Sequence, residues 1–349
     1  MNGADEEHEV VSRRTFIGRV AVAGAVFAGA AAVGLKVRDA TTPDLWDADA
    51  FPPLGSARVA VVPQPTYDGD LVRPVQAGFE AIGADVRGAR VVLKPNFVEF
   101  DSGSAINTDP RLVAATVEAM RHMGAVSVTV GEGPGHRRDA SYVAHASGLI
   151  AMLDDVRAPF VDLNTASARP VSLHSHYTPL GELWLPSLLT DADVVVSMPK
   201  MKTHHWAGVT LSLKNLFGCL PGRVYGWPKN ALHWVGIDNA IVDIAGAVMP
   251  SYSIVDGIVA MEGNGPISGT PKHAGLLVFG DDPVATDTVT ATMMGMDPSR
   301  IPYLREAARF LGVGDLEQIE QRGADPGRFM MSFEPAPGAE GLQTATGGN

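Results

Sequence analysis

Val194-Val195-Val196-Ser197-Met198, followed at once by Pro199-Lys200-Met201-Lys202-Thr203-His204-His205, is the stretch that decides the fold. A short, β-branched apolar run closed by proline reads as a buried strand of an α/β sheet. The lysines and histidines then fall just past its carboxyl end, where open α/β sheets bind ligands. Similar runs recur on both sides. Strands are predicted at Arg58 to Val62, Arg90 to Lys94, Ser127 to Val130, Phe160 to Leu163, Ser253 to Val259 and Gly275 to Phe279. Helices are predicted at Leu71 to Ile82, from Asp109-Pro110 through Met123, from Asp139 to about Leu153, near Ile237 to Val248, Pro283 to Met294 and Ile301 to Leu311. Alternation of this kind predicts an α/β fold with a largely parallel, doubly wound sheet and flanking helices. Gly218 to Pro228, rich in Gly and Pro, is expected to interrupt it as an active-site loop or insertion.

Lysine is scarce. The chain of 349 residues has seven lysines against twenty arginines, and four of the seven are Lys200, Lys202, Lys214 and Lys229. Lysine offers a compact, strongly hydrated point charge on a flexible stem. Together these side chains suit a carboxylate or phosphate, and a lysine desolvated among other cations can lose enough basicity to act as base or nucleophile. Lys200, Lys202, His204 and Lys214 are therefore the catalytic candidates. Lys94 and Asn96, at the end of a predicted strand and before a helix capped by Asp109, make an anion cradle with the free N–H groups of that helix. Asn215 and His233 join them as substrate-binding candidates. Gly131-Glu132-Gly133-Pro134-Gly135-His136 is a glycine-rich turn after another strand, without the Rossmann or Walker pattern. Cys219 reads as structural rather than nucleophilic.

Carboxylates cluster twice more. Asp256 and Glu262 flank an apolar step, with Asn264 nearby, and offer the hard oxygen ligands that a divalent cation takes. Asp282-Pro283 reads as a helix cap with a first-turn proline, and Asp287, one turn on, is a buried acid expected to pair with Lys200 or Lys214.

Composition narrows the classes. Hydrophobic residues at 46% and charged residues at 19% are ordinary for a globular protein, and the formal charge of −12 argues against nonspecific nucleic-acid binding. One cysteine excludes an internal disulfide and any four-cysteine cluster built by this chain alone. Ser12-Arg13-Arg14-Thr15-Phe16-Ile17-Gly18, followed by a mild apolar segment from Val20 to Leu35, resembles a twin-arginine export signal. It predicts an exported, periplasmic or extracytoplasmic protein, handled by the twin-arginine machinery and held at the membrane if the signal is not cleaved. Residues 1–50 are thus expected to be signal and linker, with Ala48-Asp49-Ala50 a candidate cleavage site. Residues 51–333 form the domain, and 334–349 a disordered tail.

Pro199-Lys200-Met201-Lys202-Thr203-His204, Lys214-Asn215 with Gly218 and Pro221-Gly222, Ile254-Val255-Asp256-Gly257 through Met261-Glu262-Gly263 and Gly265-Pro266, and Asp282-Pro283-Val284-Ala285-Thr286-Asp287 together resemble the domain-of-unknown-function 362 family, over roughly residues 58 to 314. The resemblance implies that the motif residues form one shared site, but supplies no reaction. Many members are described as iron–sulfur proteins. That description does not carry over to a chain with Cys219 alone. Two classes of function follow as expectations: an exported enzyme acting on a small anionic substrate, with a divalent metal as candidate cofactor, or a noncatalytic protein that binds an anion or metal or assists maturation of a redox partner; a redox or membrane partner is a candidate in either case.

Overall fold

A computed structural model describes residues 45–51, 53–135, 139–226 and 229–344, so the twin-arginine stretch and His136 lie outside the described residues. Strands β1 (Ala57–Pro63), β2 (Arg90–Pro95), β3 (Ser127–Glu132), β4 (Phe160–Asp162), β7 (Val194–Met198), β10 (Tyr252–Glu262), β11 (Thr270–Gly280) and β12 (Ile319–Gly323) form a continuous sheet. Its order is β12-β1-β11-β10-β7-β2-β3-β4, and β8 (Lys200–His204) and β9 (Gly208–Thr210) extend it beside β10. Pairing is parallel except where β11 meets β1 and β10, and where β8 turns back on β9. A separate hairpin joins β5 (Ala168–Ser172) to β6 (Glu182–Pro186).

Successive side chains of a strand point to opposite faces, and here both faces are apolar. Val59 and Val61, Val92, Val195, Val255, Leu276 and Val278 belong to one core. Their neighbours Ala60, Val91 and Leu93, Val194 and Val196, Ile254, Leu277 and Phe279 belong to the other. Helices α1 (Val72–Ala81), α2 (Pro110–His122), α3 (Ala140–Ala146) and α4 (Leu149–Asp155) cover the second face, with Phe79, Leu112 and Leu149 fully buried there. The short helices α5 (Ser187–Thr190), α6 (Ser212–Asn215), α7 (Gly222–Tyr225) and α8 (Asn230–Trp234) precede α9 (Ile237–Val248), α10 (Pro283–Met293) and α11 (Pro302–Ala307). Ile241, Val284 and Leu304 from the last three pack on the first face. The expected doubly wound α/β architecture is what forms. Asp109 and Asp282 cap their helices as predicted, accepting from Arg111 N and from Val284 and Ala285 N.

Several local expectations need correction. Lys200 to His204 is itself strand β8, because its backbone is taken up by β10 and β9: Asp256 stands opposite Lys200, and Lys202 opposite Thr210. The helix expected from Asp139 breaks in two at Gly148, whose φ of 80° cannot continue a right-handed helix. Residues 45–50 are part of the fold: Trp46 stacks on Phe310 at 4.6 Å and Asp47 N donates to His174 O at 2.8 Å. The segment expected as a disordered tail lies on the domain through Thr344. Ala336 is buried, Gly263 N donates to Glu334 O at 2.8 Å, and Met296 bridges Gln343.

Candidate active site

Beyond β4 the chain returns to the other side of β2, so β2 and β7 flank the point where its winding reverses. A cavity of about 690 Å³ lies over the ends of β2 and β3 and is walled by β8, α6, α8 and the 3₁₀ turn Leu216–Cys219. Asn215 sits over the reversal. Its Nδ2 donates to Lys94 O at 2.9 Å on β2 and to Ser197 Oγ at 3.0 Å on β7.

Lys94 is fully engaged. Its ammonium donates to Pro95 O at 2.8 Å, Glu132 Oε2 at 2.8 Å and Asn215 Oδ1 at 2.9 Å, and the ion pair with Glu132 is buried. Glu132 also accepts from Phe97 N and Gly133 N. A Cβ on Gly218 would overlap Lys94 Nζ and Glu132 Oε1, so only glycine lets the 3₁₀ turn close over this pair. Lys229, in the left-handed region at φ 65°, donates to Gly133 O at 2.7 Å and to Phe217 and Gly218 O, each at 3.3 Å. Burial pushes its ammonium down to about 7.

Lys214 is different. Among the described residues its Nζ makes no hydrogen bond or ion pair, and it lies 4.3 Å from the centre of the Phe217 ring. Burial first, then the charge of Lys94, lowers it to about 7. Its helix is positioned by Asp287, whose carboxylate accepts from Ser212 N at 2.7 Å and Leu213 N at 3.0 Å at the start of α6. Asp287 thus pairs with backbone rather than with Lys200 or Lys214, and burial raises it to about 7.

Three imidazoles line the same cavity in fixed tautomers. His204 Nδ1 accepts from Trp206 N at 3.1 Å and Ala207 N at 3.3 Å, which leaves the proton on Nε2. His205 Nδ1 faces Gly265 O at 2.8 Å and His233 Nδ1 faces Lys229 O at 3.1 Å. A carbonyl only accepts, so in these two the neutral ring carries its lone pair on Nε2. Burial lowers His204 well below its ordinary value and lowers His233 too, with Lys214 adding to both. The described lining therefore offers one imidazole donor and two imidazole acceptors. Trp206 and Trp234 stand at its rim, 62% and 71% exposed.

Among the described residues, two further polar atoms at the cavity lack partners. Asn215 Oδ1 is fixed as an oxygen by the Lys94 ammonium, so Asn96 turns Nδ2 towards it at 3.2 Å, and Asn96 Oδ1 is left buried and unbonded. Thr210 Oγ1 is likewise unbonded, and both residues line the cavity. Of the residues singled out in the sequence, Lys94, Asn96, His204, Lys214, Asn215 and His233 come together here. Lys229, Gly218 and Asn264, also picked out in the sequence, line it too, and Glu132, His205 and Thr210 complete the wall without having been assigned a role. The available signal for Glu132 was an acid ending an apolar strand.

Lys200 and Lys202 are turned elsewhere. Lys200 Nζ donates to Asp256 Oδ2 at 2.6 Å, Tyr67 Oη at 2.9 Å and Val259 O at 3.1 Å. Tyr67 Oη donates to Asp256 Oδ1 at 2.7 Å, and Asp109 N to Asp256 Oδ2 at 2.9 Å. This knot is closed and buried. Lys202 Nζ donates to Ile106 O at 2.7 Å and Pro266 O at 3.4 Å, and burial holds it well below its ordinary value. The pair of metal ligands expected from Asp256 and Glu262 does not converge: the two lie six residues apart on one strand, on the order of 20 Å, and each carboxylate holds its own lysine, Glu262 binding Lys272 at 2.7 Å. Among the described residues no three His, Cys, Asp or Glu side chains converge as metal ligands. Cys219 is buried, and burial raises its thiol to about 12, unsuited to a nucleophile.

Residues 91–292 match the family model described as "Domain of unknown function (DUF362)". The chain is 33% identical over 262 residues to the Thylakoid-associated protein sll1697 of Synechocystis, covering 72% of this chain and 78% of that protein. Among solved structures, the lactate racemase apoprotein of Thermoanaerobacterium thermosaccharolyticum aligns with a TM-score of 0.40 at 14% identity, over 67% of this chain and 56% of that one. A Thermotoga maritima protein aligns with a TM-score of 0.36 at 14% identity, over 60% and 54%. The chain thus spans little more than half the length of either solved structure.

Proposed function

The chain belongs to the DUF362 family, and we propose that it is an enzyme acting on a small carboxylate- or phosphate-bearing substrate bound in this cavity. The observation that carries this is Lys214, whose ammonium lines the cavity with no counter-charge bonded to it among the described residues. The surroundings add to it. The described lining holds three lysines, Lys94, Lys214 and Lys229, against one carboxylate, Glu132, which Lys94 already engages. An anion entering the cavity lowers the mutual repulsion of these cations, and the His204 Nε2–H is a second donor for it. The acceptor nitrogens of His205 and His233 supply bases, so the cavity has the groups that proton transfer requires.

Calorimetric titration of the folded protein with inorganic phosphate and a series of short mono- and dicarboxylates tests the reading, with loss of each acid followed by NMR. Saturable binding that weakens by roughly tenfold or more in Lys214→Met, together with turnover of at least one acid, is the expected result. No binding of any acid overturns it, and binding without turnover leaves an anion-binding protein. We further propose export by the twin-arginine route, on the strength of Arg13-Arg14 and the apolar segment that follows. A thylakoid-associated relative accords with an extracytoplasmic or membrane-associated location, and no helix among the described residues is long and apolar enough to cross a membrane.

A further inference from the structure

We propose that Lys214 is a covalent catalyst, whose amine condenses with the carbonyl of an oxo acid to form an iminium. The inference rests on the anion reading above and specifies the substrate as an acid that also carries an aldehyde or ketone. Five lysines lie in or beside the site, and four of them are consumed by protein acceptors. Lys94 and Lys229 each donate to three oxygens, Lys200 is locked to Asp256 and Tyr67, and Lys202 is held by two carbonyls. Of the five, Lys214 lines the cavity with its nitrogen over the Phe217 ring and without such a partner among the described residues. An aromatic face and a shortage of hydrogen-bond acceptors stabilise an ammonium poorly compared with water, which keeps the free amine accessible.

Proton carriers stand next to it. The Phe217 ring under Lys214 lies 5.1 Å from the His233 ring, whose Nε2 bears a lone pair. His204 presents Nε2–H to the same space. In the condensation the Lys214 lone pair forms the C–N bond as the carbonyl π pair moves to oxygen, where the His204 N–H donates a hydrogen bond. His233 Nε2 takes the ammonium's proton before the attack and gives it to that oxygen, then takes a second proton from the nitrogen of the new C–N bond and gives it to the same oxygen. The C–O bond then breaks, water leaves, and the nitrogen lone pair closes the C=N bond. Ammonium plus carbonyl gives iminium plus water, so charge and atoms balance and no co-reactant is needed. The iminium nitrogen is again cationic, so the substrate's carboxylate keeps its counter-charge after the bond has formed.

Reductive trapping tests this directly. The full chain is incubated with glyoxylate or pyruvate and sodium borohydride, then analysed by intact mass and peptide mapping, with calorimetry of the same acids alongside. The expected result is one adduct, on the peptide containing Lys214, with labelling roughly tenfold above that of Lys272, a half-buried lysine ion-paired to Glu262. Lys214→Arg should abolish it while the melting transition persists. Mapping of the unmodified protein needs no variant to fold. Binding of the acids without an adduct on Lys214, or label spread evenly over Lys272 and Lys214, overturns the iminium and leaves the anion reading standing. Absence of both binding and adduct overturns both.

Discussion

Lys214 differs from its neighbours in what surrounds its nitrogen, and this has a thermodynamic signature. A lysine of an unfolded chain stays protonated to about pH 10.4, whereas in the fold Lys214 releases its proton near 7. Between those values the unfolded state binds more protons, so this group's contribution to stability rises with pH. Below 7 both states are protonated and the fold bears the whole cost of the unpartnered ammonium. Lys214→Met is therefore expected to stabilise the protein by about 2 kcal/mol at pH 6, a figure discounted for the water that reaches the cavity, with the gain shrinking as pH approaches 10. Urea unfolding at a series of pH values measures it. A pH-independent difference would mean that the ammonium carries no such cost. The same residue shows where sequence reading stops. Four lysines crowd one region, but whether each meets a carboxylate, a carbonyl or open space depends on residues as distant as Tyr67, Ile106 and Asp256.

At the scale of elements, β8 divides the lysine segment between two tasks. Lys200 is spent on β10 and Tyr67, while His204, four residues on, reaches the cavity. A buried pair tolerates joint replacement better than loss of one partner. Lys200→Met is expected to cost about 3–5 kcal/mol by leaving Asp256 buried and unpaired, and Lys200→Met with Asp256→Leu to recover most of it. A double-mutant cycle by denaturant unfolding checks this; additive losses would show that the two side chains do not act as a unit. Elements with strong local signals were legible: the β-branched runs of β2, β7 and β10, and the Asp-Pro starts of α2 and α10. The two-faced apolar pattern fixed a doubly wound sheet for the same reason, since alternate residues of each strand had to be covered. Elements defined by their partners were not legible. β8 looks like a polar loop until β9 and β10 take up its backbone, and β12 is short and charged, with its pairing set by β1, more than two hundred and fifty residues away. The metal expectation failed on geometry of the same kind, because Asp256 and Glu262 are near in sequence but separated along an extended strand.

On the scale of the molecule, the family match at 91–292 leaves out pieces on which that span depends. β1 stands between β11 and β12, and Tyr67 completes the Lys200–Asp256 knot. Residues from Leu45 onward also pack, through Trp46 and Phe51 against Phe310, so cleavage at Ala48-Asp49-Ala50 would strip Trp46 from the folded domain. The twin-arginine route takes folded cargo, so replacement of Arg13 and Arg14 by lysine is expected to keep the protein in the cytoplasm with its melting transition unchanged. Cell fractionation decides it, and unaltered export of the double variant would refute the assignment. Finally, Trp206 packs edge-on against His205 and His233 at the mouth of the cavity, with Trp234 beside it. Indole emission responds to polarity and to nearby imidazolium, and a ligand passing this rim alters both. The entrance is thus an intrinsic optical gauge of occupancy, readable without a label or any knowledge of the reaction.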